Sequence, residues 1–172
     1  WADKGVWAGL FDALSAEGGP PAHVLIDSSA VEPIAPPLAA KGEQNQAIGR
    51  SKGGRGTKIH ALTDVQCRPI AFLLTGANVA DCRAGELLLQ NLRQADILHA
   101  DKGYDSNAIR RQVEALGTMP NIPPKKNRKW KNCFSPVLYR DRNVSVRRLL
   151  LPGARRRIAT RYDRLAKNFL AA

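Results

Sequence analysis

Cysteine is scarce in this chain of 172 residues: Cys67, Cys82 and Cys133 lie far apart and form no C-x-x-C spacing. An odd, scattered set argues against a disulfide framework and against a zinc site, and fits a reducing cytoplasm. Long apolar runs are missing too, and none approaches the ~20 residues of a membrane-spanning helix. The opening WADKGVWAGLFD mixes charge with Trp and Gly, which is unlike a secretory signal. No initiator Met precedes it, so the expectation is that this chain is the remainder of something longer. Repeats and low-complexity segments are absent as well. Acidic residues all but vanish after position 124. Residues 125–172 hold 15 Lys+Arg and 2 Asp+Glu, whereas residues 1–124 hold 12 and 13. The formal charge of +12 therefore belongs to the C-terminal part. Such asymmetry points to a polyanionic partner, most often nucleic acid, against the plainer reading of a solvated basic tail.

What remains is enough for one folded domain. At 44% hydrophobic and 24% charged, the composition can bury a core, and the length suits a single domain of roughly 100–200 residues. Val6, Trp7, Leu10, Phe11 and Leu14 recur at helical spacing, predicting an amphipathic helix over residues 1–16 that Gly18, Gly19, Pro20 and Pro21 end. His23–Val31 (HVLIDSSAV) predicts a strand. Residues 32–56, with three prolines and the run GRSKGGRG, predict a long loop. Thr57–Val65 and Pro69–Thr75 predict a hairpin joined at 66–68. Asn78–Arg93 predicts a helix with Asp81 near its N-cap, Ala95–Ala100 a buried strand, and Ser106–Leu116 a helix capped by Ser106 and closed by Gly117. Met119–Pro124 should be extended, Pro124–Asn132 a basic loop, and the rest helical from Pro136 with a break at Pro152-Gly153. Strands followed by helix–strand alternation give an α/β mixed sheet flanked by helices.

Two acids sit where acids are costly. Asp27 interrupts the apolar strand VLIDSSAV, and Asp101 ends ADILHAD. A carboxylate there needs a partner or a cation. In open α/β sheets ligands bind beyond the carboxyl ends of strands, and paired carboxylates make an oxygen-rich site suited to Mg²⁺. Paired metal ions of this kind organise displacement at phosphorus. The plainer alternative is that each Asp caps a turn or helix.

Four ordered blocks carry a resemblance: IDSS at 26–29, GRSKGGRGTKIHALTD at 49–64, DKGYD at 101–105 and RRIATRYDRLAKNFLA at 156–171. Together they resemble the insertion-sequence-five family of bacterial DDE transposases, over nearly the whole chain. The resemblance implies an RNase H-like fold in which Asp, Asp and Glu bind two Mg²⁺ or Mn²⁺ ions for cleavage and strand transfer at insertion-sequence ends. Asp27 matches the first acid and Asp101 the second. Residues 1–20 would be a remnant helix linking to a missing N-terminal DNA-binding region, and residues 21–172 the catalytic domain. Double-stranded DNA is the implied partner and a homo-oligomer the expected assembly, without a membrane.

The third acid departs from the pattern. The family carries Tyr-x2-Arg-x3-Glu-x6-Lys before its last helix. Counted from Tyr139 and Arg142, the Glu position holds Val146 and the Lys position Gly153. The block 143–156 reads unlike the family, yet RIATRYD resumes in register after it, as two compensating frameshifts would leave it. Asp141 lies five residues early, about one and a half turns away, and points elsewhere. The expectation is a copy that has lost its cleavage chemistry. The rival classes are a catalytically silent DNA-binding remnant and a ribonuclease-like hydrolase on the same fold.

Arg50, Lys52, Arg55 and Lys58 read as a phosphate-contacting arm or a plain flexible loop; the order of a Walker phosphate loop is missing. Lys102 and Tyr104 either touch the DNA backbone or shape the turn beside Asp101. Lys125, Lys126, Arg128, Lys129, Trp130 and Lys131 interleave cations with an aromatic, suiting backbone contact plus stacking on an unpaired base, or else form a solvated run with Trp130 packed. Arg142 joins the DNA-binding set. His60 and His99 read as core or hairpin residues.

Overall fold

A computed structural model describes residues 4–6, 9–11, 13, 21–33, 47–66, 68–140 and 160–161. The strands are β1 (His23–Pro33), β2 (Gly49–Ser51), β3 (Gly54–Asp64), β4 (Pro69–Gly76), β5 (Ile97–Ala100), β6 (Met119–Asn121) and β7 (Thr160–Arg161). The helices are α1 (Asp81–Leu88), continued by a 3-10 turn over Leu89–Asn91, and α2 (Asn107–Ala115), preceded by a 3-10 turn over Lys102–Tyr104.

β1 is central. Val24, Leu25 and Ile26 are all buried, which is why this strand is a continuous apolar run rather than an alternating one. It pairs antiparallel with β3 and parallel with β5, and β5 pairs parallel with β6. β4 lies antiparallel on the far side of β3, with a register irregularity at Leu62/Thr63. β7 pairs with the end of β1. Pro69 opens the outer strand β4, a position where a missing N–H is tolerated. The β3–β4 hairpin turn is tied by the Asp64 carboxylate, which accepts from the backbone N–H groups of Gln66 and Arg68 at 2.9 Å each and from Arg68 Nε at 2.6 Å.

One face of the sheet carries the main core: Val24, Ile26, Leu62, Leu98 and Ala100 pack against Leu88, Leu89, Ile109, Val113 and Tyr104. The other face holds a smaller cluster of Val31, Ile59 and Leu74. Phe72 on that side meets the ring of Phe11, 5.6 Å away, from the helical N-terminal residues. The sheet is mixed and helical residues lie on both faces, as the element order implies.

Two expectations change. The segment GRSKGGRG is no loop: β2 and the start of β3 form a ribbon in which Arg50 pairs with Arg55 around the turn at Lys52-Gly53. Glycine-rich segments carry little strand preference of their own, and here the tight turn and continuity with β3 decide. The helix expected over 78–93 is shorter, running from Asp81 with Ala80 as N-cap and no side-chain cap. In α2 the reading holds: Ser106 Oγ accepts from Ile109 N at 3.1 Å, and Gly117 has φ of 71°. Residues 136–140 begin a helix. Asp141, Arg142, Val146 and the Pro152-Gly153 break lie outside the described residues. Of the expected helix at 1–16, residues 6, 9–11 and 13 are helical.

Candidate functional site

The last pair of the parallel β1–β5 ladder is Ile26 with Ala100. The next residue on each strand is Asp27 on β1 and Asp101 just past β5. Asp27 stays within the sheet, paired with Ala61 of β3, while Asp101 leaves β5 beside it, so the two acids sit together where the parallel ladder stops, at the carboxyl end of β5, a place where open α/β sheets bind ligands. Both are half-buried. Asp101 is also the cap of the turn that follows, accepting from Gly103 N at 2.7 Å. The capping role and a site role coincide in one residue.

A third carboxylate joins them. Asp81, in the first turn of α1, accepts from Ser28 Oγ on β1 at 3.3 Å and from Lys58 Nζ on β3 at 3.0 Å. Lys58 also donates to Val79 O at 2.9 Å. Asp81 and Asp101 converge on Gly103: a Cβ built there would lie 2.8 Å from Asp101 Oδ1 and 2.9 Å from Asp81 Oδ2. A side chain at 103 would push these carboxylates apart, so glycine serves close approach here. Sequence reading placed Asp81 near a helix cap. Its partners lie 23 and 53 residues away in the chain, and no local pattern marks such contacts.

Tyr104 forms the floor. It is fully buried, and its hydroxyl meets His60 Nδ1 at 3.0 Å, while His60 Nε2 meets Thr75 Oγ1 at 2.9 Å. Burial pushes the Tyr104 phenol far above its ordinary range; a hydrogen bond with Ser28 opposes this, and Asp81, Asp27 and Asp101 add to it. Burial pushes His60 down to about 4, with Asp81 opposing and Lys58 adding to the fall. Both side chains are therefore neutral near pH 7. Tyr104 shapes the turn and does not reach the surface.

Two carboxylates of this kind offer the hard oxygen donors that Mg²⁺ or Mn²⁺ prefers. Among the described residues, no group of three or more His, Cys, Asp or Glu is arranged to hold a metal. Asp81 is engaged by the Lys58 ammonium at 3.0 Å. Asp27 and Asp101 therefore fit as part of a ligand set, with position 146 outside the described residues.

The expected DNA contacts divide into two groups. Arg50, Lys52, Arg55, Lys102, Lys126, Lys129 and Lys131 are exposed, and Trp130 is 80% exposed. Lys58 and Arg128 instead have internal partners. Arg128 Nε donates to Asp105 Oδ2 at 2.5 Å and its NH1 group to Asn107 Oδ1 at 2.8 Å. Lys125 is half-buried, with its backbone N–H on Asp105. His60 and His99 are buried, as read; His99 pairs with His23 at 3.2 Å and with Asn121 at 3.1 Å.

A family model described as "Transposase DDE domain" matches residues 18–169. A curated protein of Burkholderia cepacia, named "Putative transposase for insertion sequence element IS402", is 33% identical over 82 residues, covering 41% of this chain and 39% of that protein. This chain thus aligns with well under half of that relative. Among solved structures, the piggyBac transposase synaptic complex with hairpin DNA is similar with a TM-score of 0.51 at 14% identity, over 73% of this chain and 28% of that one. The Mos1 transposase paired-end complex follows at a TM-score of 0.38 and 15% identity, over 69% of this chain and 40% of that one. The mixed sheet with flanking helices is RNase H-like, and no described helix is long and apolar enough to cross a membrane.

Proposed function

The chain belongs to the transposase DDE domain family, and from that premise we propose that it is the catalytic domain of an insertion-sequence transposase, acting on the DNA of transposon ends by cleavage and strand transfer. The single observation that carries the reading is the parallel pairing of Ile26 with Ala100, which sets Asp27 of β1 beside Asp101 at the end of β5. In this reading those two acids hold the divalent metal. When bound, Mg²⁺ or Mn²⁺ activates an attacking oxygen and steadies a leaving oxygen at phosphorus. Asp81, neutralised by Lys58, fixes the spacing between α1 and the Gly103 turn. Buried, uncharged Tyr104 and His60 keep that turn rigid without competing for the cation. The exposed cations of the β2–β3 ribbon and of segment 125–131 bind phosphates along the duplex. Two ends must be handled together, so a homo-oligomer is the working assembly, acting on DNA in the cytoplasm.

This copy binds DNA but does not cut it. Val146 offers only methyl groups where the family carries Glu, and Mg²⁺ demands near-ideal oxygen geometry that a loosely held water replaces poorly. The decisive experiment is strand cleavage of matched transposon-end DNA with Mn²⁺, alongside Mn²⁺ affinity. The expected result is no cleavage, with measurable Mn²⁺ binding that Asp27→Ala or Asp101→Ala weakens. Val146→Glu alone is expected to leave the chain inactive, because the sequence puts Pro152-Gly153 where the family's helix would run, and Pro costs ~3 kcal/mol in a helix interior. Replacing 143–156 by a family-like helix that includes Val146→Glu and Gly153→Lys is expected to restore the site, read as tighter Mn²⁺ binding, with cleavage depending also on the N-terminal DNA-binding region of the family. Metal-dependent cleavage by the unaltered chain, lost on Asp101→Ala, refutes the inactivity. Mn²⁺ affinity indifferent to both Ala variants refutes the ligand assignment.

A further inference from the structure

Asp105 is an acid that the metal site does not use. It ends the turn Lys102–Tyr104 and its side chain is wholly buried. A buried carboxylate is tolerated only when paired and hydrogen-bonded, and this one is engaged from three directions. Arg110 of α2 brings both Nε and one terminal nitrogen to Oδ1, at 2.9 Å each. Arg128 Nε reaches Oδ2 at 2.5 Å, and Lys125 N donates to the same oxygen at 2.9 Å. Burial alone would raise the carboxyl, but the bonds from Arg128, from the Lys125 backbone and from Arg110 hold it below its ordinary value.

The arrangement joins three pieces of chain. Arg110 also donates to Ile122 O at 2.8 Å, directly after β6, and Arg128 donates to Asn107 Oδ1 at the start of α2. The basic segment has no helix or strand of its own among residues 122–135. This node fastens its first half, at Lys125 and Arg128, while Asn121 holds its far end at Ser135. Three residues separate Asp105 from Asp101, and the intervening turn is pinned at Gly103 and Tyr104. Displacement of the segment and displacement of the acid are thus mechanically linked.

We propose that Asp105 is a positioning residue. It ties the basic segment 125–131 to the turn carrying Asp101, so that Lys126, Lys129, Trp130 and Lys131 hold DNA at a fixed offset from the metal-holding acids. In this arrangement Arg128 is a strut and not a phosphate contact. The inference rests on the reading that segment 125–131 binds DNA.

The test uses the full chain and a duplex of transposon-end sequence. Affinity is measured across a salt series for the parent, Asp105→Asn, Arg128→Gln, Arg128→Lys, the double variant Asp105→Asn/Arg128→Gln and Lys129→Gln. Removing a true phosphate contact, as in Lys129→Gln, flattens the slope of log K against log salt by about 0.9. Arg128→Gln is expected to leave the slope unchanged and lower affinity by about 3- to 10-fold at every salt concentration, a shift of roughly 0.6–1.4 kcal/mol. Asp105→Asn does the same, the double variant is no weaker than either single one because they act as one unit, and Arg128→Lys recovers part of the loss. Amide hydrogen exchange supplies a second readout without DNA: Asp105→Asn speeds exchange at Lys125 together with residues 101–105. A slope flattened by Arg128→Gln as much as by Lys129→Gln overturns the proposal, as does faster exchange confined to 122–131. Parent affinity that Asp105→Asn leaves unchanged overturns the positioning role alone. No salt-dependent binding by the parent overturns the DNA reading, and the positioning role with it.

Discussion

His60 and Tyr104 meet in the wall behind the acid cluster, and each pays a visible electrostatic cost for burial. For His60 the sign can be followed through. The unfolded imidazole takes its proton near the ordinary value of 6.5, the folded one only at about 4. Between these values the unfolded chain binds more protons, so stability is full above about pH 6.5 and falls as the pH drops toward 4. Asp81 and Lys58 are the charged groups acting on it, with opposite signs. From pH 7 to pH 5 the parent should lose roughly 2 kcal/mol through this residue, from about 1.36 kcal/mol per pKa unit. His60→Gln should lose that much less over the same interval in urea unfolding. An equal loss in both would mean that the imidazole is not held neutral by its surroundings. The residue scale is also where sequence reading was most uneven. His60 and His99 were legible as core residues because they flank apolar positions in strands. Asp27 and Asp101 stood out because acids interrupt apolar strands there. Asp81 gave no such signal, since an acid in the first turn of a helix is ordinary.

At the scale of elements, α1 is held at a distance set by one missing side chain. Gly85 is buried where α1 crosses the Tyr104 turn and α2. A Cβ there would fall 2.8 Å from Tyr104 Cδ1 and 2.9 Å from Ile109 Cδ1, both on fully buried side chains. Alanine gains about 1 kcal/mol of helix propensity over glycine, while overpacking a closed core costs ~1–3 kcal/mol. Gly85→Ala is therefore expected to be destabilising by about 1 kcal/mol, read as a lower midpoint in thermal unfolding. A raised midpoint would mean that the helix can shift outward freely. Boundaries of elements were legible where local chemistry fixes them, as at Ser106 and Gly117 around α2. The ribbon of β2 and β3 was not. Its Arg50–Arg55 pairing places like charges opposite each other, which is unfavourable in isolation, and the turn tied by Ser51 together with attachment to the longer β3 ladder offsets it.

For the whole molecule, the charge asymmetry makes a measurable claim. Seven exposed cations from the ribbon, from Lys102 and from the basic segment with its Trp130 face solvent. If half a dozen neutralise phosphates, affinity for duplex DNA should drop on the order of 10³-fold between 50 and 200 mM salt, with weak dependence on sequence. Filter binding or fluorescence anisotropy across that range decides it, and a flat profile would end the electrostatic account. The fold gives this charge a direction. The sheet switches from antiparallel to parallel at β1 and β5, Asp27 within β1 and Asp101 past β5 lie together there, and Asp105 fastens the basic segment near the same place.

The sequence by itself determined the fold class, the central apolar strand, the hairpin, the cap of α2 and the excess of cations after position 124, because each depends on residue type and short-range spacing. It also singled out Asp27 and Asp101, whose cost is visible locally. Only the tertiary structure decided that Asp81 shares their neighbourhood, that Lys58 and Arg128 bond inward, that Tyr104 is a floor and not a surface contact, and that Asp105 joins two segments of the site. Those outcomes come from contacts between residues far apart in the chain. Their energies depend on which groups burial leaves together, and no periodicity or composition encodes that.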